Sequence, residues 1–351
     1  MRLTEATAPV FARHETFHPR YGWFRKAYAT AAGSERGFTA DDAPVAIGVG
    51  KNMVRSIKFW GQAAKLITAD PESVNKRAPD MIPTAFGQAL FGPDGWDPYM
   101  EDPATVWLLH WMLLAAPSQV PVWWLVFNEL HAVEFDEDLL DGVIASHIEA
   151  AGSWSSPHPS AVTKDVSALL RTYAPAVQTV RSSFDDLLDC PLRELGLISR
   201  SAATGNYRFV LGPKPTLPDE IVTVAVLDYL ARVRRSGQTV TMAHLANEPG
   251  GPGRAFGLAE RDLHAALSRL ADQRSSLRVM APTGAQQLGW DQPPAEVAVA
   301  ILADYYGTHP PAPAIGLEGD EPADRDLLPD RSSVMARLFE ASERHPQAVA
   351  T

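Results

Sequence analysis

Asp41 to Ile67 reads DDAPVAIGVGKNMVRSIKFWGQAAKLI, and the periodicity of this stretch decides the fold. At about 100° per residue from Lys51, Arg55 and Lys58 fall within about 40° of it, while Met53, Ile57, Trp60 and Ala64 gather on the opposite side. One helix therefore carries a basic face and an apolar face. Gly48-Val49-Gly50 supplies the turn before it, and Phe38-Thr39-Ala40-Asp41 offers an N-cap further upstream. The pattern is that of the second and third helices of a helix-turn-helix, closing at Lys65-Leu66-Ile67 where a winged-helix fold begins its wing. Cations at this spacing can follow a phosphate backbone, and Asn52 near the helix N-terminus can reach a base edge. The plainer alternative is an amphipathic helix whose basic face is merely solvated.

Charge favours a polyanion partner for this part of the chain. The whole chain carries a net charge of −11. Between Phe11 and Lys65, however, nine Lys and Arg (Arg13, Arg20, Arg25, Lys26, Arg36, Lys51, Arg55, Lys58, Lys65) face four acids (Glu15, Glu35, Asp41, Asp42). A segment of +5 inside an acidic protein is the asymmetry that matters.

With 351 residues, 46% apolar and 21% charged, the chain has room for two or three domains of ordinary soluble composition. Its one cysteine, Cys190, excludes an internal disulfide framework and a multi-cysteine zinc site, and it fits a reducing cytoplasm. The opening MRLTEATAPVFARHE lacks the apolar core of a signal peptide. Ala104 to Phe127 is the most hydrophobic region, but Pro117, Ser118, Gln119 and Pro121 interrupt it, leaving neither half at the ~20 residues a membrane span needs.

Outward from the basic helix, Phe11 to Tyr28 mixes aromatics with His14, Glu15, His18, Arg20, Arg25 and Lys26, and a helix runs from about Tyr21 towards Ala32. Asp70 to Pro103 is loop-like, with a short helix at Thr84–Phe91 and an acidic cluster from Asp94 to Asp102. Helices at Ala104–Ala116, Val120–Glu129, Glu137–Ala151 and Ser160–Tyr173 make a helical middle domain. Beyond Arg193 come strand-like pieces at Leu195–Leu197 and Tyr207–Leu211, helices at Glu220–Arg234, Met242–Asn247 and Leu258–Ala271, and strands at Leu277–Ala281 and Gln286–Trp290. That order is again a winged helix. Glu248 to Arg254 is too rich in Pro and Gly for regular structure, and it lacks the Lys and Ser/Thr of a phosphate-binding loop. Glu296–Tyr306 forms a further helix, and the rest is irregular apart from a late helix at Ser333–Glu343. The chain is thus mainly α, with a winged-helix-like unit at residues 1–70, a helical middle domain at 71–175, a second winged-helix-like domain at 176–307 and a Pro/Asp-rich tail at 308–351.

Three constellations can carry chemistry. His14-Glu15-Thr16-Phe17-His18 matches HExxH, but that zinc signature works only on a helix, and Pro19 turns His18 away from helical geometry. The same stretch suits phosphodiester hydrolysis better: His14 and Glu15 can supply a base, and Arg20 with Lys26 can stabilise charge on the phosphoryl oxygens. The competing structural reading pairs Arg20 and Lys26 with Glu15 and packs His14 under Trp23. Finally, Asp97 and Glu101, with Asp94 and Asp102, offer carboxylates to a divalent cation. Against this, Asp102 directly before Pro103 has the form of a helix N-cap. His110, Trp107 and Trp111 lie on an almost wholly apolar helix and read as core.

The chain resembles the SspB-like DNA nickase family of single-strand DNA phosphorothioation systems. Four stretches carry the resemblance: His14-Glu15-Thr16-Phe17 with Arg20 and Trp23-Phe24-Arg25-Lys26; Gly48 to Val54 with Phe59-Trp60; Gly95 to Asp102 with Trp107 and His110; and Pro252-Gly253-Arg254 with Phe256 and Leu258. They span Phe11 to about Trp290. The resemblance implies a bacterial nickase acting beside a cysteine desulfurase, an ATPase and an ATP-pyrophosphatase-type protein that together place sulfur on a DNA phosphate. A divalent cation, Mg2+, is the expectation for hydrolysis of this kind. The alternatives kept open are a non-catalytic winged-helix DNA-binding adaptor or regulator and a scaffold that recruits modification enzymes; a homodimer is compatible with each. The site expectations are His14, Glu15, Arg20 and Lys26 as catalytic residues, Lys51, Asn52, Arg55 and Lys58 on DNA, and Asp97 with Glu101 on metal.

Overall fold

The computed structural model describes residues 1–33, 37–175, 190–233, 237–282 and 284–308. The protein is mainly helical, as its periodicity predicts. Thr308, the first residue of the expected tail, closes the last helix; the rest of the tail, with the late helix expected at Ser333–Glu343, lies outside the described residues.

The N-terminal part runs α1 (Leu3–Ala6), α2 (Trp23–Gly33), α3 (Ala43–Ile47), α4 (Lys51–Ala63), β1 (Ile67–Ala69) and β2 (Met81–Pro83). Gly48 ends α3 at φ +73, a left-handed conformation that a side chain would strain, and its N–H caps the Pro44 and Val45 carbonyls. α4 then starts at Lys51, burying Val54, Ile57, Phe59, Trp60 and Ala63 and leaving Lys51, Asn52 and Arg55 exposed. β1 and β2 pair antiparallel with Ile67 opposite Pro83. β2 falls inside the stretch read as loop, since three residues cannot display an alternating pattern.

The middle part holds α5 (Ala85–Phe91), α6 (Pro103–Leu114), α7 (Pro121–Asn128), α8 (Glu137–Ala151) and α9 (Pro159–Tyr173). Each of four has a side-chain cap: Thr84 accepts from Gly87 N–H, Asp102 from Ala104 N–H, Asp136 from Leu139 N–H and His158 from Ser160 N–H. Every residue of α6 from Ala104 to Leu114 is buried, so it is the axis on which the rest is packed. Trp60, Trp107, Trp111, Trp123 and Trp124 are all fully enclosed in one continuous core.

A 3-10 turn at Pro191–Leu195 replaces the strand expected at Leu195–Leu197, because Pro191 opens it and Gly196 at φ +61 closes it. β3 (Ile198–Arg200) then pairs with β4 (Tyr207–Phe209). The last part runs α10 (Asp219–Arg232), β5 (Thr239–Thr241), α11 (Met242–Asn247), α12 (Pro252–Phe256), α13 (Glu260–Ala271), β6 (Leu277–Met280), β7 (Gln287–Trp290) and α14 (Pro294–Thr308). Its sheet has the order β5-β7-β6, antiparallel throughout. α12 corrects the expectation of irregular backbone from Glu248 to Arg254: Pro252 occupies the first helical turn, where its missing N–H costs nothing.

Lys65 also departs from expectation. Its ammonium does not face solvent beside the basic helix but donates to the carbonyls of Met112 and Ala115 (2.8 Å for the latter) at the C-terminal end of α6. Arg232 of α10 reaches the neighbouring Ala116 carbonyl, and its Nε pairs at 2.7 Å with Asp228, which also accepts from Trp111 Nε1 at 2.8 Å. Burial, then the Arg232 charge, push the Lys65 amine down to about 7, against the pull of Asp228.

Candidate nucleic-acid interface

The basic face of α4 is only partly free. Lys51 and Asn52 are exposed at its N-terminus, and Lys51 has no ion pair among the described residues. Arg55, one turn on, is exposed and lies 3.5 Å from Glu15 Oε1. Lys58 is half-buried: it donates to the Pro79 carbonyl at 3.2 Å, and burial lowers its pKa against the opposing effect of Asp80. The side therefore grades from free cation at Lys51 to structural contact at Lys58.

Glu15 arrives beside Arg55 because the loop carrying it is bent into an unusual shape. Ala12, Glu15 and Thr16 have φ of 53°, 51° and 68°, three of the five left-handed non-glycine residues described. Such backbone costs energy and persists only where surroundings fix it. Here they do. Ser56 Oγ donates to the His14 carbonyl at 3.0 Å and Trp60 Nε1 to the Phe17 carbonyl at 3.1 Å, both from α4. From α9, Asp165 accepts the Ala12 N–H at 2.9 Å and Arg171 donates to the Thr16 carbonyl at 2.6 Å. The loop geometry also removes the zinc motif, since His14 to His18 is not helical.

His14 is 1% exposed. Its ring stacks on Trp60 at 6.0 Å and meets Phe59 and Trp123 edge-on, not Trp23 as the packing alternative held. Nε2 lies 2.6 Å from Asp165 Oδ1. Because that oxygen also takes the Ala12 N–H, it acts as acceptor, and Nε2 carries the proton. Burial raises the Asp165 pKa while the His14 hydrogen bond opposes the rise. His14 is thus turned inward and holds the loop, whereas Glu15 is turned outward. Arg20 lies over the rings of Phe17 and Trp23 at 5.9 and 5.7 Å, on the same loop. Lys26 is exposed and donates to the Ile47 carbonyl at 2.8 Å, bracing α2 against α3. So Glu15 pairs with Arg55 rather than with Arg20 or Lys26.

Asp97 and Glu101, expected on a cation, are joined by a hydrogen bond at the start of α6. Asp97 is buried and its two oxygens are used: Oδ1 accepts Glu101 N–H at 2.8 Å, and Oδ2 accepts Asp102 N–H at 3.0 Å and Thr105 Oγ1 at 2.6 Å. Glu101 contributes its backbone and is otherwise exposed. Trp96 stacks on Tyr306 of α14 at 5.0 Å, closing the cluster over. No group of three or more His, Cys, Asp or Glu able to hold a metal exists among the described residues. The carboxylates here build a helix start.

Asp165 and Arg171 had no signal in the sequence, because nothing in a solvent-facing helical pattern announces which polar residue meets a loop 150 positions away. His110 reads correctly as core: Nε2 donates to the Ala255 carbonyl and Nδ1 accepts from Tyr173 O–H, each at 2.8 Å, and burial drives its pKa down to about 4.

Comparison with known proteins agrees with this architecture. No curated protein matches the chain. An SspB crystal structure is 37% identical, with a TM-score of 0.84 and 98% of each chain covered. A magnesium ion-bound SspB crystal structure is 35% identical, with the same TM-score and the same coverage. Among the described residues no helix is long and apolar enough to cross a membrane. Residues 11–306 match the family described as protein of unknown function DUF4007, and the chain belongs to that family and shares the fold of SspB.

Proposed function

We propose that this protein is the DNA-nicking component of a bacterial DNA phosphorothioation system, a hydrolase working on cytoplasmic DNA in antiviral defence. The observation that carries the reading is the Glu15 carboxylate, held by a strained loop 3.5 Å from Arg55 on the basic side of α4. The order α2-α3-α4-β1-β2 supports a winged helix with α4 as its DNA-facing helix. The last part, from α10 to β7, has winged-helix order too, but most of its described arginines are answered by acids. Arg269 pairs with Asp219, Arg274 with Asp304 at 2.6 Å and Arg278 with Asp291 at 3.2 Å. The N-terminal unit is the better DNA surface.

In this reading Lys51, Asn52 and Arg55 hold the backbone, and Lys58 fixes the base of the wing. Glu15 takes the proton of an attacking water as it adds to phosphorus and the bond to the leaving sugar oxygen breaks. Arg20 meets the charge that develops on the phosphoryl oxygens. His14 acts as a positioning residue through Asp165, and Lys26 supports the α2–α3 angle. The nick would loosen one strand for a cysteine desulfurase, an ATPase and an ATP-pyrophosphatase-type protein to act on. The SspB relative holds magnesium. Among the described residues no group of three or more His, Cys, Asp or Glu is gathered for such an ion, and Asp97 is committed to hydrogen bonds at the start of α6.

Supercoiled plasmid incubated with the protein and Mg2+ tests the reading. Open-circular product from the wild type, lost in Glu15→Gln with DNA affinity kept, supports it. No open-circular product, or nicking by Glu15→Gln at the wild-type rate, sinks it. A non-catalytic DNA-binding adaptor is the second reading, favoured by the enclosure of His14; binding that weakens steeply with salt, without nicking, would select it.

A further inference from the structure

The loop between β1 and β2, residues 70–80, carries Val74 near its middle, and that side chain is 98% exposed. Exposed Asn75, Lys76 and Arg77 follow it, while Ser73 beside it is 3% exposed. An apolar side chain held fully in water next to a residue packed inside requires a loop with a fixed shape, and the hydrogen bonds provide one. Asp70 accepts from Glu72 N–H at 2.9 Å, and Ser73 Oγ accepts from Asp80 N–H at 3.0 Å. Asn75 Oδ1 accepts from both Arg77 and Ala78 N–H at 3.2 Å, and Lys76 Nζ donates to the Pro71 carbonyl at 2.6 Å. The loop is built before any partner arrives, so docking it costs little ordering entropy.

Its direction is set by α4. Lys51, Arg55 and Lys58 share one side of that helix, and Lys58 grips the loop at Pro79. The loop is therefore tied to the basic side of the helix, and it brings two further cations, Lys76 and Arg77, of its own. Asp70 and Asp80 are turned into the loop's own hydrogen bonds, leaving Glu72 as its outward acid. Arg77 has no ion pair among the described residues.

We propose that this loop contacts the minor groove of duplex DNA, with Val74 as an apolar wedge and Lys76 and Arg77 on the groove and its phosphates. A groove ~6 Å wide admits a short branched side chain and an arginine but not a helix, and apolar wedges flanked by cations are a recurrent device there. The inference rests on the reading of α4 as the DNA-facing helix.

Fluorescence anisotropy of an A·T-rich duplex with the full chain tests it, using netropsin to block the minor groove and methyl green to block the major groove. Netropsin should weaken wild-type binding severalfold. The Lys76→Ala/Arg77→Ala double variant should lose about tenfold in affinity, lower the slope of log affinity against log salt by about two, and become insensitive to netropsin. Val74→Ser should lose netropsin sensitivity with little change of slope, and Glu72→Gln should bind more tightly. Each variant should keep the wild-type melting temperature. If Lys51→Ala weakens binding while the loop variants match the wild type, the loop proposal is overturned and the reading of α4 stands. If Lys51→Ala is also without effect, both fall. Loop variants that bind DNA normally but lose a protein partner would overturn the proposal in favour of a protein contact.

Discussion

His14 Nε2 and Asp165 Oδ1 lie 2.6 Å apart, both enclosed, and join the loop before α2 to the middle of α9. Asp165→Ala would leave His14 and the Ala12 N–H without an acceptor where water is excluded. A loss of about 3 kcal/mol is expected, since removing one partner of a buried pair costs more than the pair itself contributes. Asp165→Asn keeps an acceptor and should lose less. Urea unfolding followed by tryptophan fluorescence reads this directly, because Trp60 and Trp123 flank the His14 ring. A loss below about 1 kcal/mol for the alanine variant would show that the loop is held without this pair.

Two lysines of α4 should behave differently although their spacing makes them alike. Lys51→Ala should lower the salt slope of DNA binding by about one and leave unfolding unchanged. Lys58→Ala should instead destabilise the β1–β2 hairpin, since it removes the bond to Pro79. Equal effects of the two substitutions on binding would refute the grading along the basic side.

Buried neutral His110 makes stability sensitive to acid. Its folded pKa of about 4 lies below the ordinary 6.5, so the unfolded chain takes up a proton first. The stability is complete above pH 6.5 and is lost as the pH falls towards 4. At ~1.4 kcal/mol per pH unit the loss reaches roughly 3 kcal/mol. Urea midpoints at pH 7.5 and 4.5 should converge less steeply in His110→Gln than in the wild type; equal slopes would exclude His110 as the origin.

Gly253→Ala should destabilise although alanine favours helices. A Cβ there would sit 2.4 Å from Ala246 Cα and 2.6 Å from its carbonyl oxygen, so α11 and α12 must separate. About 2 kcal/mol or more is expected from overpacking of this kind. A thermal midpoint at or above the wild type would show that the two helices yield freely.

Period and caps made much of this fold legible. Glu137–Ala151 needed only its apolar spacing and Asp136, and Asp102-Pro103 announced α6 at its first turn. The core role of His110, Trp107 and Trp111 followed from a helix with no polar side. Three-residue strands such as β2 and β5 escaped because their partners, not their own sequence, make them strands. At the candidate site the outward residues Lys51 and Arg55 were readable from helix geometry. The inward turn of His14 was not, since it depends on left-handed backbone at Ala12, Glu15 and Thr16 and on Asp165 from a distant helix. Lys65 illustrates the limit most plainly: as a charge in sequence it belongs to the basic segment, and in space it belongs to the end of α6.

That lysine makes the sections of this chain poor candidates for exchange by recombination. It comes from the N-terminal unit, the carbonyls it satisfies from the middle, and the Arg232–Asp228 pair beside them from α10. A graft that brought in a foreign first unit would have to deliver an amine to the same two carbonyls, or leave a helix end unsatisfied in the interior. Descent by whole-chain divergence, with all three sections changing together, is what such a shared keystone permits.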